Sequence, residues 1–221
     1  MRKNILVVVA HADDEVLGCG ATIAKHKRDK DLVHLIVLTE STSSQDGKSI
    51  KKRREELDKS SKILNIDSVT MLTFKDNQLD RYPLLEIIKK SQEVIGKNQY
   101  DIVYTHSSND LNVDHRIVNQ LVLTLFRPLP NLRTPNIFSF DIPSSVEYQS
   151  SLIQRSSKNY FNTISDEDLN IKKNALSAYA SEIKSFPHPR STECIELHAK
   201  LEGSKCGLQI AESFYIERII N

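Results

Sequence analysis

The 221 residues carry 30 Lys+Arg against 29 Asp+Glu, a formal net charge of +1. That balance lacks the basic excess of a general nucleic-acid binder, and no run of about 18 apolar residues is present to span a membrane. The length suits one domain with a sizeable core.

The elements alternate in type along the chain. Asn4 to Ala10 reads as a short buried strand. The basic Arg2-Lys3 ahead of it resembles the start of a signal peptide, but the apolar run ends in His and acids instead of a small-residue cleavage site. A cytoplasmic protein is therefore expected. The three scattered cysteines, Cys19, Cys194 and Cys206, agree, since they form neither a disulfide framework nor a CxxC zinc site. Val16 to Arg28 reads as a helix and Leu32 to Leu38 as strand two. The polar stretch Thr39 to Lys48 has the length and position of a functional lid. Helix Ile50 to Leu64, strand Val69 to Phe74, helix Leu84 to Ile95, strand Asp101 to Thr105, helix His115 to Phe126 and strand Asn136 to Asp141 follow. The tail is less regular. It holds a strand at Tyr160 to Ile164, a helix from Asp166 to Ser185 capped by Ser165, a helix at Thr192 to Glu202 and a closing strand at Ser213 to Ile220. This order predicts a Rossmann-like α/β fold: a doubly wound, mostly parallel sheet of order 3-2-1-4-5 with helices on both faces. One domain is expected, with a core over 1–143 and a C-terminal extension over 144–221 packed on it.

Two loops concentrate the chemistry. The first, Ala10-His11-Ala12-Asp13-Asp14-Glu15, places one imidazole and three carboxylates at the exit of strand one. Such acids repel one another unless a cation sits among them. The second runs from His106 through Asn109, Asp110 and Asn112 to Asp114-His115-Arg116 at the exit of strand four. In a doubly wound sheet ligands bind at the carboxyl ends of the strands where the order reverses, so both loops should face one crevice. Two His and one carboxylate suffice for a catalytic zinc with an open position. His11, Asp14 and His115 are the expected ligands. Asp13, next to a ligand but off the metal, is the expected general base for a water acidified towards ~7. Asp114 is placed to hydrogen-bond a catalytic partner or a ligand imidazole, and Glu15 to brace the loop as a supporting acid. His26, His34 and His198 lack this setting and read as structural or solvated. A dinucleotide fingerprint at Gly18-Cys19-Gly20 with Glu40 fails, because the glycines come late, Ile23 replaces the third, and acids would meet the pyrophosphate. Gly18 and Gly20 are then close-packing residues of the first helix.

With these residues in place, the chain resembles the PIG-L/LmbE-like family of zinc-dependent N-deacetylases. The family hallmark Ala-His-Pro-Asp-Asp-Glu corresponds to Ala10 to Glu15, and its Asp-His-Arg to Asp114-His115-Arg116. Phe186-Pro187-His188-Pro189-Arg190-Ser191, Ser144-Ser145-Val146-Glu147 and the late Ala211-Glu212-Ser213-Phe214 are similar to C-terminal signatures of a bacterial branch. The resemblance implies zinc on His11, Asp14 and His115, with Asp13 moving protons during removal of an N-acetyl group from an amino sugar such as N-acetylglucosamine. It implies sugar contacts at Arg53 and Asp76. Two positions depart from the family pattern. Ala12 replaces the hallmark Pro, which would only stiffen the turn. Asn112 stands where several branches carry a His that stabilises the oxyanion; Asn donates a hydrogen bond but no proton. Asp13, His106 or His188 would then supply the proton. Arg53, Arg116 and Arg190 would suit a phosphate or carboxylate on the substrate. One metal per chain is expected, zinc or another divalent ion such as Fe2+, with a small N-acetyl sugar as partner and a homo-oligomer compatible with the sequence. The competing readings are a sugar or nucleotide-sugar binding module of the same fold, and a hydrolase of another amide or an ester.

Overall fold

The computed structural model describes residues 2–41, 49–130, 133–152 and 157–220. Most of the expected lid, over 42–48, and part of the tail loop, over 153–156, lie outside the described residues. The strands are β1 Asn4–Val9, β2 Leu32–Thr39, β3 Ser68–Phe74, β4 Ile102–His106, β5 Asn136–Phe140, β6 Tyr160–Thr163 and β7 Ala211–Arg218. The helices are α1 Asp14–Arg28, α2 Ile50–Ile63, α3 Leu84–Ile95, α4 Val113–Leu125, α5 Asp166–Leu176 and α6 Thr192–Ser204. The sheet runs β3-β2-β1-β4-β5-β7-β6. β1 pairs in parallel with β2 and β4, and the parallel set extends to β3 and β5. β7 is antiparallel to both β5 and β6, so the tail extends the predicted 3-2-1-4-5 core by two strands.

Side-chain alternation explains the two helical layers. Ile5, Val7 and Val9 join Val33, Leu35 and Val37 in the core under α1, α2 and α5. Leu6, Val8 and Ala10 join Ile36 and Leu38 under α3 and α4. A strand buried on both faces reads as a continuous apolar run, and each such side chain contributes ~1.5–3 kcal/mol of burial. Because β1 and β4 are neighbours, their exits bring the His11 and His115 loops together.

Helix starts differ from the sequence reading by one half-turn, with consequences for the site. α1 opens at Asp14 and α4 at Val113, upstream of the predicted Val16 and His115. The Asn112 side chain accepts the Asp114 N–H at 2.8 Å and so starts α4 early. Asp14 and His115 therefore sit in first turns, where neighbouring backbone fixes them. α5 ends at Leu176, short of the predicted Ser185. The chain tightens into a 3-10 turn at Ser177–Tyr179, which turns the Tyr179 side chain inward to full burial.

α1 is broken at Cys19 (φ −146°, ψ 24°). Gly18 permits this passage beside β5, since a Cβ there would lie 2.2 Å from the Phe140 ring. The break frees backbone groups, and the tail answers them. The Glu212 carboxylate accepts the N–H groups of Ala21 (3.2 Å) and Thr22 (2.6 Å), while Lys172 Nζ donates to Leu17 O (2.9 Å) and Glu212 Oε1 (2.6 Å). Buried backbone groups need partners, so the strand β7 and the helix α5 complete a helix of the core.

Candidate metal and catalytic site

Three donor atoms converge at the exits of β1 and β4. His11 Nδ1 lies 3.2 Å from His115 Nε2 and 3.2 Å from Asp14 Oδ2; His115 Nε2 lies 3.4 Å from Asp14 Oδ2. Ligands at ~2.0–2.1 Å from a tetrahedral zinc are separated by about 3.3 Å. The triangle thus has the dimensions of one face of such a site, and its two His and one carboxylate match a catalytic donor set with a free position.

Each ligand is held by its own partner. Asp14 Oδ2 accepts the His11 N–H at 2.9 Å. Nε2 of His11 points away from the triangle, 3.2 Å from Asp114 Oδ2 and 3.1 Å from Asp76 Oδ1. Asp110 Oδ2 lies 3.0 Å from Nδ1 of His115, within ion-pair reach though off hydrogen-bond alignment, and neither atom has another partner. A carboxylate behind each imidazole leaves the other nitrogen facing the triangle. Electrostatics agree. Burial disfavours charge on His11, but hydrogen bonds to Asp114, Asp14 and Asp76 outweigh it and raise its pKa well above the usual value. Burial also opposes charge on His115, yet Asp14 and Asp110 raise it to about 8. Burial pushes Asp14 up, and the neighbouring His115 and His106 more than reverse this, holding it well below the carboxylate range. The acids demand positive charge at this spot; protons supply it in the metal-free protein, and a bound cation would displace them.

Asp13 is set apart from this group. It occupies the N-cap position of α1 in a left-handed conformation (φ 113°, ψ −27°), yet its side chain does not cap the helix. An Asp at this position ordinarily bonds the first turn; here the carboxylate is turned into the cleft. Glu15 holds the strained backbone by accepting the Asp13 N–H at 3.0 Å, and is itself fixed by the Tyr179 hydroxyl (2.7 Å) and Ser60 Oγ (3.2 Å). The adjacent Ala12 N–H donates to Ser41 Oγ at 2.8 Å. Burial pushes the Asp13 pKa up to about 7, against the lowering effect of Arg190, whose Nη1 lies 3.3 Å away.

The remaining predicted residues divide. Asn112, Asp76, Arg53 and Arg190 line the cleft with His11, Asp13, Asp14 and His115. His106 and His188 do not. His106 is fully buried beneath His115, ring on ring at 4.0 Å, and its Nε2 accepts the Ala10 N–H. Burial and the charge of His115 lower its pKa to about 4, so it supports the ligand as a neutral ring and reaches no substrate. The His188 Nδ1 accepts the Arg190 N–H, which orients that loop instead of facing the cleft. Both positions of the expected sugar contacts lie in the cleft wall, Asp76 against His11 and Arg53 paired with Glu56 and Glu182. His26 serves structure, between Asp31 (2.8 Å) and Tyr104 (3.1 Å). Sequence reasoning assigned no role to Asp110, Ser41 or Glu182. Glu182 accepts from Arg53 Nη2 at 2.7 Å and lies 3.5 Å from Arg190 Nη1, joining the two cations. Asp110 was in view within the strand-four loop; Glu182 carried no motif.

Among the described residues no helix is long and apolar enough to cross a membrane. Comparison with known proteins gives a consistent picture. The family model described as PIG-L, GlcNAc-PI de-N-acetylase, matches residues 6–126. A protein of Escherichia coli K12 named as the uncharacterized deacetylase YaiS is 31% identical over 186 residues, covering 81% of this chain and 92% of its own. The N,N'-diacetylchitobiose deacetylase of Pyrococcus horikoshii superposes with a TM-score of 0.76 at 22% identity, over 97% of this chain and 83% of that one. The fold also serves other chemistry: GalB, the 4-carboxy-2-hydroxymuconate hydratase of Pseudomonas putida, superposes at 0.73 with 18% identity, over 99% and 98% of the two chains. Fold alone does not select a reaction, but the family match and the E. coli relative do select a lineage: the chain belongs to the PIG-L family of deacetylases.

Proposed function

We propose that this protein is a metal-dependent hydrolase that removes the N-acetyl group from an N-acetylated amino sugar, with N-acetylglucosamine as the model substrate unit. The observation that carries the reading is the triangle of His11 Nδ1, Asp14 Oδ2 and His115 Nε2, with the carboxylate of Asp13 turned into the same cleft. These three residues would hold one divalent ion, zinc by donor type, with Fe2+ compatible with the same set. When bound, the ion supplies Lewis acidity, lowering the pKa of water and polarising the acyl carbonyl. Asp13 accepts the proton of the attacking water. A base near neutrality suits this task, and burial sets Asp13 close to it. The same carboxyl group then returns the proton to the departing amine, because neither His106 nor His188 lines the cleft. Asn112 has its Oδ1 tied to the Asp114 N–H and donates one Nδ2 hydrogen to Asn77 Oδ1 at 3.1 Å, which leaves its second amide hydrogen as a donor for the developing oxyanion. The three cysteines are free, which suits a reducing cytoplasm.

The test is Asp13→Asn in the full chain, assayed for acetate release from N-acetyl sugars with and without a chelator. The expected result is retained metal with deacetylation reduced by about 10²-fold or more, the scale of a general base. Full activity in Asp13→Asn removes the base assignment; chelator-insensitive acetate release removes the metal.

A further inference from the structure

A second cavity lies between the tail and the core, and it shares no lining residue with the cleft. The loop after β5 separates the two: Pro143, Val146 and Glu147 line this cavity, and Ser145 lines the cleft. The break in α1, at Leu17 and Gly18, forms one side, and residues of α5, α6 and the start of β7 form the others. Its volume is about 80 Å³. One water needs ~10–15 Å³ of such space, so the cavity has room for roughly five to eight non-hydrogen atoms. Leu17, Val146, Leu169 and Ile195 give it an apolar wall.

Three polar atoms of the residues that line it are buried without an aligned partner among the described residues: Asp141 Oδ1, Glu202 Oε2 and Ser213 Oγ. Each carboxylate is satisfied on its other oxygen. Asp141 Oδ2 accepts from the Tyr215 hydroxyl at 3.0 Å and pairs with Lys158 at 3.1 Å. Glu202 Oε1 accepts from Lys205 Nζ at 2.6 Å. Burial pushes the Glu202 pKa up, and Lys205, Ser213 and Lys158 more than reverse this, so the carboxyl is ionised at neutral pH. Lys172, also in the wall, is engaged by Leu17 O and Glu212. Buried polar atoms need partners, and a carboxylate oxygen needs a donor. Water can donate, but it leaves the apolar wall wet. An alkyl ammonium donates charge-assisted bonds of roughly twice the strength, and its hydrocarbon covers that wall.

We propose that this cavity is a binding site for a small primary ammonium compound with a short apolar chain. The ammonium donates to the oxygens left free in the wall, on Glu202, Ser213 and Asp141, and the chain packs on Leu17, Leu169 and Ile195. The site stands apart from the metal triangle and does not depend on the deacetylase reading.

The probe is n-butylamine, titrated at pH 7 into the isotope-labelled full chain and followed by backbone amide shifts, with n-butanol as the uncharged comparison. The expected result is saturating shifts at Leu17, Gly18, Ala199, Glu202 and Ser213, with a Kd in the millimolar range set by so small a ligand. Binding of n-butanol should be at least about tenfold weaker. Equal binding of n-butanol overturns the ammonium assignment. No saturable shift at these positions up to about 50 mM overturns the site and leaves water as the occupant. Glu202→Gln should weaken n-butylamine by about tenfold and leave n-butanol unchanged; an unchanged amine affinity overturns the acceptor role of that carboxylate. Ala199→Leu, which fills the cavity, should remove the response, and a retained response places the amine elsewhere and overturns the site. The Tm of each variant reports folding, and Glu202→Gln decides where Ala199→Leu does not fold. Asp13→Asn, in the cleft, should titrate as the parent does; a weakened titration places the amine among the cleft carboxylates and overturns the proposal.

Discussion

Asp110→Asn should weaken metal binding without unfolding the protein. Asp110 is fully buried and uses its two oxygens differently: Oδ1 accepts the Asn112 N–H at 2.8 Å, and Oδ2 lies 3.0 Å from Nδ1 of His115. An amide in its place keeps the first bond through its oxygen. It then presents NH2 to a ring nitrogen that must carry hydrogen if Nε2 is to face the metal. The pair becomes donor against donor, and relief comes from moving the imidazole proton to Nε2 or rotating the ring, either of which spoils the third ligand. Loss of such an orienting partner costs about 10–100-fold in metal affinity, or roughly 1.4–2.7 kcal/mol. Zinc affinity measured by competition with a chromophoric chelator would read this directly. The Tm of the metal-free variant controls for folding. An affinity within about twofold of the parent, with zinc still on His115, would refute the argument that Asp110 fixes the tautomer.

Two further outcomes follow from the buried charges of the structure. Glu212→Gln removes one charge of a buried pair and leaves Lys172 facing a neutral amide at the break in α1, where the carboxylate now takes Ala21 and Thr22. Breaking such a pair costs ~3–5 kcal/mol, which for a chain of this length is a fall of roughly 6–20 °C in Tm; a melting curve within ~2 °C of the parent contradicts it. Metal binding should release protons near neutrality. His115, raised to about 8 and protonated at pH 7 in the metal-free protein, must lose its proton to bind, and His11 is raised as well. Apparent affinity therefore rises with pH up to about 8 and is weakened below it. Zinc titrations at pH 7 in two buffers of different ionisation enthalpy should differ in heat by at least one proton per ion, and equal heats would sink the assignment.

The convergence of His11, Asp14 and His115 was legible because they lie in two short clusters at strand exits, and the strand order 3-2-1-4-5 brings β1 and β4 side by side. The carboxylates behind the two imidazoles were harder to read, for a geometric reason. Adjacent residues on a helix point about 100° apart, so Asp114 cannot serve the imidazole of His115 next to it. The ligand imidazole that Asp114 reaches is His11, across the crevice, and Asp110, upstream in the loop, lies beside His115. Periodicity was misleading in the tail. Apolar spacing carried the helix on to Ser185, whereas the chain turns at Tyr179 to satisfy the buried Glu15. That turn delivers Glu182 to the two arginines, and no local pattern announces a contact between positions 129 residues apart.

The division of labour along the chain explains which parts of the site a motif can carry. The family model matches residues 6–126, and His11, Asp14 and His115 all fall inside it. The metal triangle is thus a property of the parallel core. The groups around Asp13 come from both parts of the chain: burial raises its pKa, Asp14 and Arg53 act on it from within 6–126, and from beyond residue 126 Arg190 lowers its proton affinity, Glu182 opposes that effect, and Tyr179 fixes the Glu15 that holds its backbone. The tail also supplies Lys172 and Glu212, which restore the helix carrying Asp14 after its break at Cys19. The triangle depends on the registry of β1 with β4 and, through Lys172 and Glu212 at the break in α1, on the tail as well. Asp13 meets the tail more directly, through Arg190 and Glu182 in its own surroundings. In this fold the candidate metal triangle is placed mainly by topology, while the surroundings of Asp13 and the charge of the cleft draw on both the core and the tail.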